Sequence, residues 1–388
     1  MNTPISIFGI FTGFLNSFSL PLRRIYKNIE KKGVISMEWE LLGIVLVSLY
    51  GIIAYIFRFP TSIPYSISRE NRDGRLDQMR GIAMIGIVCI HIHSYFEFFH
   101  PTDFNVTTWT LFFSNLSRFS VPVFIFGSSL YLNKKDDYWR SKFKSLLLPY
   151  TIACIIGYLI KYQTYTIPDF VIRYLTGSIF APYYFVPLLF QFYIIYYFLP
   201  ERILTDSNLI ILLALSIIVN LISNFNVFNN LFPEWYAPLS VFNFLFFFFL
   251  GLFLKKFSIS NSSKIRLQFE SQIFLFLASI VLLFIFSLKN INLKNHHLVY
   301  PLLSILILNH VLPISAENYF YKFLGFIGKN SLYIFLLHPF VIHQMHAFDP
   351  YMLFNPYIGY LLTLILNVGI PGGFAYFITY QLRTSSNR

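Results

Sequence analysis

The sequence predicts an all-α membrane protein, a polytopic bundle of eleven helices, and three observations carry that expectation. The 388 residues are 56% hydrophobic and only 12% charged, with a mean hydropathy of +0.61. A soluble domain carries about 25% charged residues, roughly twice as many. Apolar runs recur from residue 41 to residue 380, which one anchor on a soluble domain would not produce. Finally, a membrane β-barrel would show short alternating segments of about 10 residues, and these runs do not alternate.

Windows of about 20 residues, the length that crosses a bilayer, fall at 41–57, 76–96, 109–132, 145–162, 183–199, 208–224, 238–254, 271–288, 298–314, 331–346 and 357–380. The loops between them leave no room for a soluble domain. Aromatic residues reach 20%, led by 47 Phe and 27 Tyr, as lipid-facing surfaces and interfacial belts favour. Cys89 and Cys154 both fall inside windows, so no disulfide framework is expected. The net charge of +12 is dispersed without a compact nucleic-acid motif, and nucleic acid is excluded as a partner. Membrane lipids are the expected surroundings.

Those cations mark orientation instead. The loops at 58–75, 133–144, 200–207, 255–268 and 315–330 and the tail at 381–388 hold eighteen Lys and Arg. The opposite loops hold four: Lys161, Arg173, Lys289 and Lys294. Positive loops stay inside, so the C-terminus is expected in the cytoplasm and the 76–96 helix runs from inside to outside. Residues 1–40 disagree, since a crossing at 41–57 puts Arg23, Arg24, Lys27, Lys31 and Lys32 outside. One resolution is an amphipathic surface arm. The favoured one is a start at Met37: the preceding residues KKGVIS can be encoded by a strong bacterial ribosome-binding site, and MEWELLGIV would leave a short acidic outer tail. A bacterial cytoplasmic membrane follows.

Within RLDQMRGIAMIGIVCIHIHSYF, Arg80 and His91 lie eleven residues apart. On an α-helix that is about 1100°, so the two share a face about 16 Å apart along the axis. Ionisable side chains inside a membrane are costly and normally face a bundle interior or a wet cavity. A helix lining a pathway follows, with a cation at the cytoplasmic mouth and an acid/base group deeper in. The plainer alternative is a snorkelling arginine and an interhelical histidine. His93, about 200° from His91, is expected to face elsewhere. So many helices with buried cations would also suit a transporter or flippase of an envelope precursor, though no second copy of the Arg80–His91 pattern is present.

The stretch RLDQMRGIAMIGIVCIHIH resembles the opening motif of the acyltransferase-3 family of integral membrane O-acyltransferases: Leu-Asp-x-x-Arg-Gly, then a histidine ten residues beyond. SRFSVPVFIFGSSLYL (Ser117–Leu132) is similar to its second helix, and WRSKFKSLLLPY to a basic cytoplasmic turn ending in Pro-Tyr. APYYFVPLLFQFY, FNFLFFFFLGLFLKK and FIGKNSLYIFLLHPF resemble later segments in the same order. The departures are Ser129, where glycine is usual, and Gly127, where a larger residue is common; close packing there is in question. The resemblance implies a ten-helix acyltransferase unit at 75–380, preceded by an N-terminal arm (1–40) and one extra transmembrane helix (41–58), and followed by a cytoplasmic tail (381–388).

It also implies an activity. Such enzymes move an acyl group, commonly acetyl from acetyl-CoA, onto a hydroxyl of an extracytoplasmic acceptor such as a cell-surface or lipid-linked glycan; another acyl-CoA is a possible donor and no metal is expected. The family's arginine and histidine fall on Arg80 and His91, as catalytic residues. A cation at the cytoplasmic mouth suits CoA phosphates, and a neutral imidazole suits removal of the acceptor hydroxyl proton. Whether attack is direct or through an acyl-enzyme stays open. Arg118 is expected mid-helix at a depth comparable with His91, there to hold an acidic glycan, stabilise an oxyanion or pair with a carboxylate, with a structural ion pair to Asp77 as the plain alternative. Ser128 occupies the family's serine position, more as a packing residue than a nucleophile. His338, before Pro339, is expected to line the site, and Gln191, polar in an apolar helix, to face the cavity. Asp77 is expected to orient Arg80. His343 and His346 read as surface residues.

Overall fold

The computed structural model describes residues 74–99, 104–162, 165–224, 234–260, 269–293, 297–313, 318–345 and 355–386. The 41–57 segment, the Met37 start and His346 lie outside them. The described residues are helical, with no strand among them, and each of the ten windows expected between 76 and 380 holds a helix. The elements are α1 (Gly74–Phe99), α2 (Phe104–Leu116), α3 (Ser120–Leu130), α4 (Tyr138–Lys142), α5 (Leu148–Lys161), α6 (Ile167–Thr176), α7 (Phe185–Phe198), α8 (Asp206–Asn224), α9 (Leu245–Ser260), α10 (Phe269–Leu288), α11 (Val299–Val311), α12 (Tyr319–Lys329), α13 (Ser331–Met345) and α14 (Pro356–Ser386).

Three helices are long and apolar enough to cross a membrane alone: α1, the continuous stretch Tyr138–Lys161, and α14. Two bent pairs, α6 with α7 at 67° and α12 with α13 at 80°, reach that length and apolarity only when each is taken together, as a broken span or a re-entrant loop would, and α8 to α11 supply shorter apolar helices. Large apolar side chains on α5 and α14, Ile156, Leu159, Leu361 and Ile365 among them, are exposed, as helices facing lipid require. The interior is aromatic: Phe192 and Phe248 are buried and stack with centroids 4.8 Å apart.

Three expectations need correction. The 109–132 window is not one helix but α2 and α3, broken by a turn at Ser117–Phe119. Pro122 explains the break, since a proline ring clashes with the carbonyl four residues before it, here that of Arg118. Second, the basic stretch before Pro149 is not a turn. It is α4 followed by a π-helical segment, Phe143–Leu147, running into α5. Pro149 lacks the N–H that would cap the Ser145 carbonyl in an α-helix, and wider π turns form at such positions. Third, α12 lies in what reads as a loop.

That helix positions α1. A side chain on Gly81 would overlap the Leu324 carbonyl, and one on Gly328 would overlap the carbonyl of Asp77. Glycine at both positions lets the two backbones touch, the close approach that small residues permit between membrane helices. The substitution at Ser129 is also resolved. Ser129 is buried, its Oγ donates to the Phe126 carbonyl at 2.8 Å, and it packs directly against Gly251 of α9. The small partner has moved to the facing helix. Gly177 ends α6 with φ +66°, and Ser178 N–H returns to the Arg173 carbonyl at 2.9 Å, a left-handed cap that turns the chain toward α7.

Candidate functional site

Arg80 and His91 project from α1 into two different cavities. The first, about 210 Å³, is walled by Arg80 with Phe124 and Ser128 from α3, Ser145 from the π-helical segment, Tyr193 from α7 and Phe335 from α13. Arg80 is half-buried, and its guanidinium lies over the Phe124 ring, 5.7 Å from the centroid. Tyr193 and Ser128 face the same cavity as Arg80. Lys142 sits over the ring of that tyrosine, its Nζ 4.3 Å from the centroid. A second cation therefore packs against one wall residue of the Arg80 chamber.

The second cavity, about 280 Å³, is lined by His91, Ser94, Phe98, Lys161, Phe180 and His343, with Pro339 on its wall. The two cavities share no lining residue. Between them lies His338, fully buried, its ring centroid 5.5 Å from that of His91 and 6.0 Å from that of Phe335. Its Nδ1 is 3.1 Å from the Ile334 carbonyl. A carbonyl only accepts, so Nδ1 carries the proton, and in the neutral ring Nε2 presents a lone pair. That Nε2 is buried with no hydrogen-bond partner. Such an atom costs about 1–3 kcal/mol in a folded protein, and ring position together with that cost marks it as a group held ready for a hydrogen bond.

The structure brings Arg80, Ser128, His91 and His338 to cavity walls or between them, and leaves other expected residues elsewhere. Arg118 is not mid-helix. It occupies the turn between α2 and α3, is buried, and donates through Nη2 to Asn292 Oδ1 at 2.5 Å and to Ser114 Oγ at 3.2 Å. It lines neither cavity, although its charge is within electrostatic reach of His91. Gln191 does not face the site. Its Nε2 donates to the Leu239 carbonyl at 3.0 Å and its Oε1 accepts from Tyr236 at 2.9 Å, which ties α7 to the turn before α9. Asp77 is buried in the first turn of α1, one turn before Arg80 and under the α12 crossing. His93 faces away from His91, with Nδ1 3.0 Å from Thr110 Oγ1. Three residues at the cavities were not singled out by sequence reasoning as site groups: Tyr193, Lys161 and His343. A tyrosine in an aromatic run and a lysine closing a helix carry no local signal of their neighbours.

A family model described as an acyltransferase domain, the acyltransferase-3 model, matches residues 73–376. The chain belongs to this family. It is therefore a membrane acyltransferase by descent, and the match contains α1 through most of α14, with both cavities. No curated protein and no solved structure matches the chain significantly.

Proposed function

We propose that this acyltransferase carries an acyl group, acetyl from acetyl-CoA, from the cytoplasmic face of a bacterial inner membrane onto a hydroxyl of a cell-surface glycan on the other side. The carrying observation is that one helix presents Arg80 to one cavity and His91 to another, with His338 between. The charge count of the loops supports a cytoplasmic position for the Arg80 chamber. Arg80, with Lys142 beside it, binds the donor's phosphates; guanidinium and ammonium groups form short, charge-assisted hydrogen bonds to phosphate oxygens.

His91 is the general base. Its imidazole accepts the proton of the acceptor hydroxyl as that oxygen bonds to the thioester carbonyl carbon; the C–S bond then breaks and the proton passes to the departing thiolate. The lone pair of His338 Nε2 accepts a hydrogen bond from His91 or from the hydroxyl and so holds one of them in line. Arg118, fixed by Asn292 and Ser114, favours the negative charge that gathers on the carbonyl oxygen, acting through space rather than by contact. Ser128 helps orient the donor beside Tyr193. Asp77 sets the start of α1, where a carboxylate favours the helix dipole, and Gln191 is a structural tie.

The test is envelope-glycan analysis by NMR and mass spectrometry in a deletion strain complemented with wild type or His91→Ala. Wild type is expected to restore O-acyl groups and the variant is not. Full restoration by the variant would overturn the role of His91. If the deletion removes no acyl group from any envelope polymer, the transporter alternative gains instead.

A further inference from the structure

We propose that the cavity beside His91 selects an anionic acceptor, a saccharide bearing a carboxylate or phosphate, and that Lys161 is the residue that binds that charge. The proposal rests on the acyltransferase reading only in naming the ligand an acceptor.

Lys161 closes α5 and is exposed, and its side chain lines the same cavity as His91. One N–H of its ammonium is used, donating to the Ile179 carbonyl at 2.9 Å. The group is also held over the Phe180 and Tyr162 rings, 5.4 Å from each centroid. An ammonium carries three donors, so this geometry fixes the charge while leaving two N–H groups for a ligand. Among the described residues no carboxylate pairs with it, and no acidic side chain lines the cavity.

Arg173, another of the four cations on this side of the chain, shows the contrast. Its Nε donates to both oxygens of Asp169, at 3.0 and 2.9 Å, and its Nη1 donates to Tyr162 at 3.1 Å. A neighbouring cation is thus neutralised while Lys161 is not. Cations are sparse in outer loops because topology selects against them, and this one is aimed by aromatic rings at the wall of the base's own cavity. The remaining lining suits a sugar: the Phe98 ring is 77% exposed and offers an apolar face against which pyranose C–H groups lose water, with Ser94 and His343 as hydrogen-bonding partners.

The test uses the full-length protein in phosphatidylcholine nanodiscs and measures binding of galactobiose, digalacturonate and galactobiose 6-phosphate by calorimetry or saturation-transfer NMR. At least one charged probe is expected to bind about 10-fold tighter than the neutral one, the worth of a single charge-assisted hydrogen bond, and which one distinguishes carboxylate from phosphate. Lys161→Met is expected to bring that ratio near one with neutral affinity unchanged, and Lys161→Arg to keep the preference. In wild type, raising salt to about 0.5 M is expected to shrink the ratio, so the proposal is tested even if a variant does not fold. Equal binding of charged and neutral probes by wild type, or an unchanged ratio in Lys161→Met, would overturn it. So would loss of retained phosphatidylglycerol in native mass spectrometry of Lys161→Met with no change in the saccharide ratio, which would make Lys161 a headgroup anchor. His91-dependent release of CoA from acetyl-CoA is read in parallel: its absence sinks the acyltransferase reading and leaves the binding ratio to judge Lys161.

Discussion

The chamber at Arg80 is walled by Phe124, Phe185 and Phe335 and takes its polar groups from hydroxyls and one guanidinium, whereas the chamber at His91 carries two imidazoles and an ammonium. Phe335 belongs to the first and neighbours His338, which separates it from the second. The difference assigns chemistry to place. A hydroxyl-lined aromatic chamber suits a flexible, largely apolar arm with its charge left at the mouth, and a chamber with titratable nitrogens suits proton transfer. On the proposed assignment, keeping the two apart would also keep water on the acceptor side away from the thioester until both ends are filled.

The largest expected effect comes from removing the base. His91→Ala should lower acyl transfer by about 10²–10⁴-fold, the usual worth of a positioned general base, with acyl-CoA binding retained; transfer assays and donor titrations on the purified protein separate the two. Arg80→Ala comes next. Loss of a charge-assisted contact of about 1.5–3 kcal/mol should raise KM for the acyl-CoA by about 10–100-fold while kcat changes little, and the reverse pattern would move Arg80 from donor binding to the chemical step.

Phe335→Leu attacks the partition itself. The smaller side chain should join the chambers and raise acyl-CoA hydrolysis without acceptor by several-fold, roughly the effect of admitting water to a closed site, measured as free CoA. Unchanged hydrolysis would mean that His338 alone divides them. The smallest effect is expected at Gln191→Leu, which removes two hydrogen bonds of about 1 kcal/mol each at a residue that lines neither chamber. Its activity should stay within about twofold of wild type while its melting temperature falls, since the loss is one of stability; a strong activity loss would return Gln191 to the site.

The pairing of Arg80 with His91 was legible because its logic is local. Arg80 and His91 share a helix, and eleven residues of regular geometry fix their common face whatever packs around them. Hydropathy likewise locates the helices, since each must cover its own backbone polar groups in lipid. Where a window contained a proline, hydropathy alone misled: it averaged over Pro122 and hid the turn that holds Arg118. The α12 helix escaped because YFYKFLGFIGK is amphipathic and short, so its burial against α1 is decided by Gly81 and Gly328 in contact across the fold. Gln191 was misplaced for a related reason. A polar residue in an apolar helix announces a partner but not its address, and here the partners were Leu239 and Tyr236.

The sequence by itself determined an all-helical membrane protein, its family, and the one-helix pairing of a cation with an imidazole, because composition, motif order and helical period act over short distances along the chain. Only the tertiary structure decided that His338, 247 residues after His91, lies beside it, that two cavities rather than one continuous path flank that pair, and that Lys161 reaches the chamber of His91. Those facts depend on how distant helices cross, and crossing is set by the summed fit of many side chains and two touching glycines rather than by any single motif.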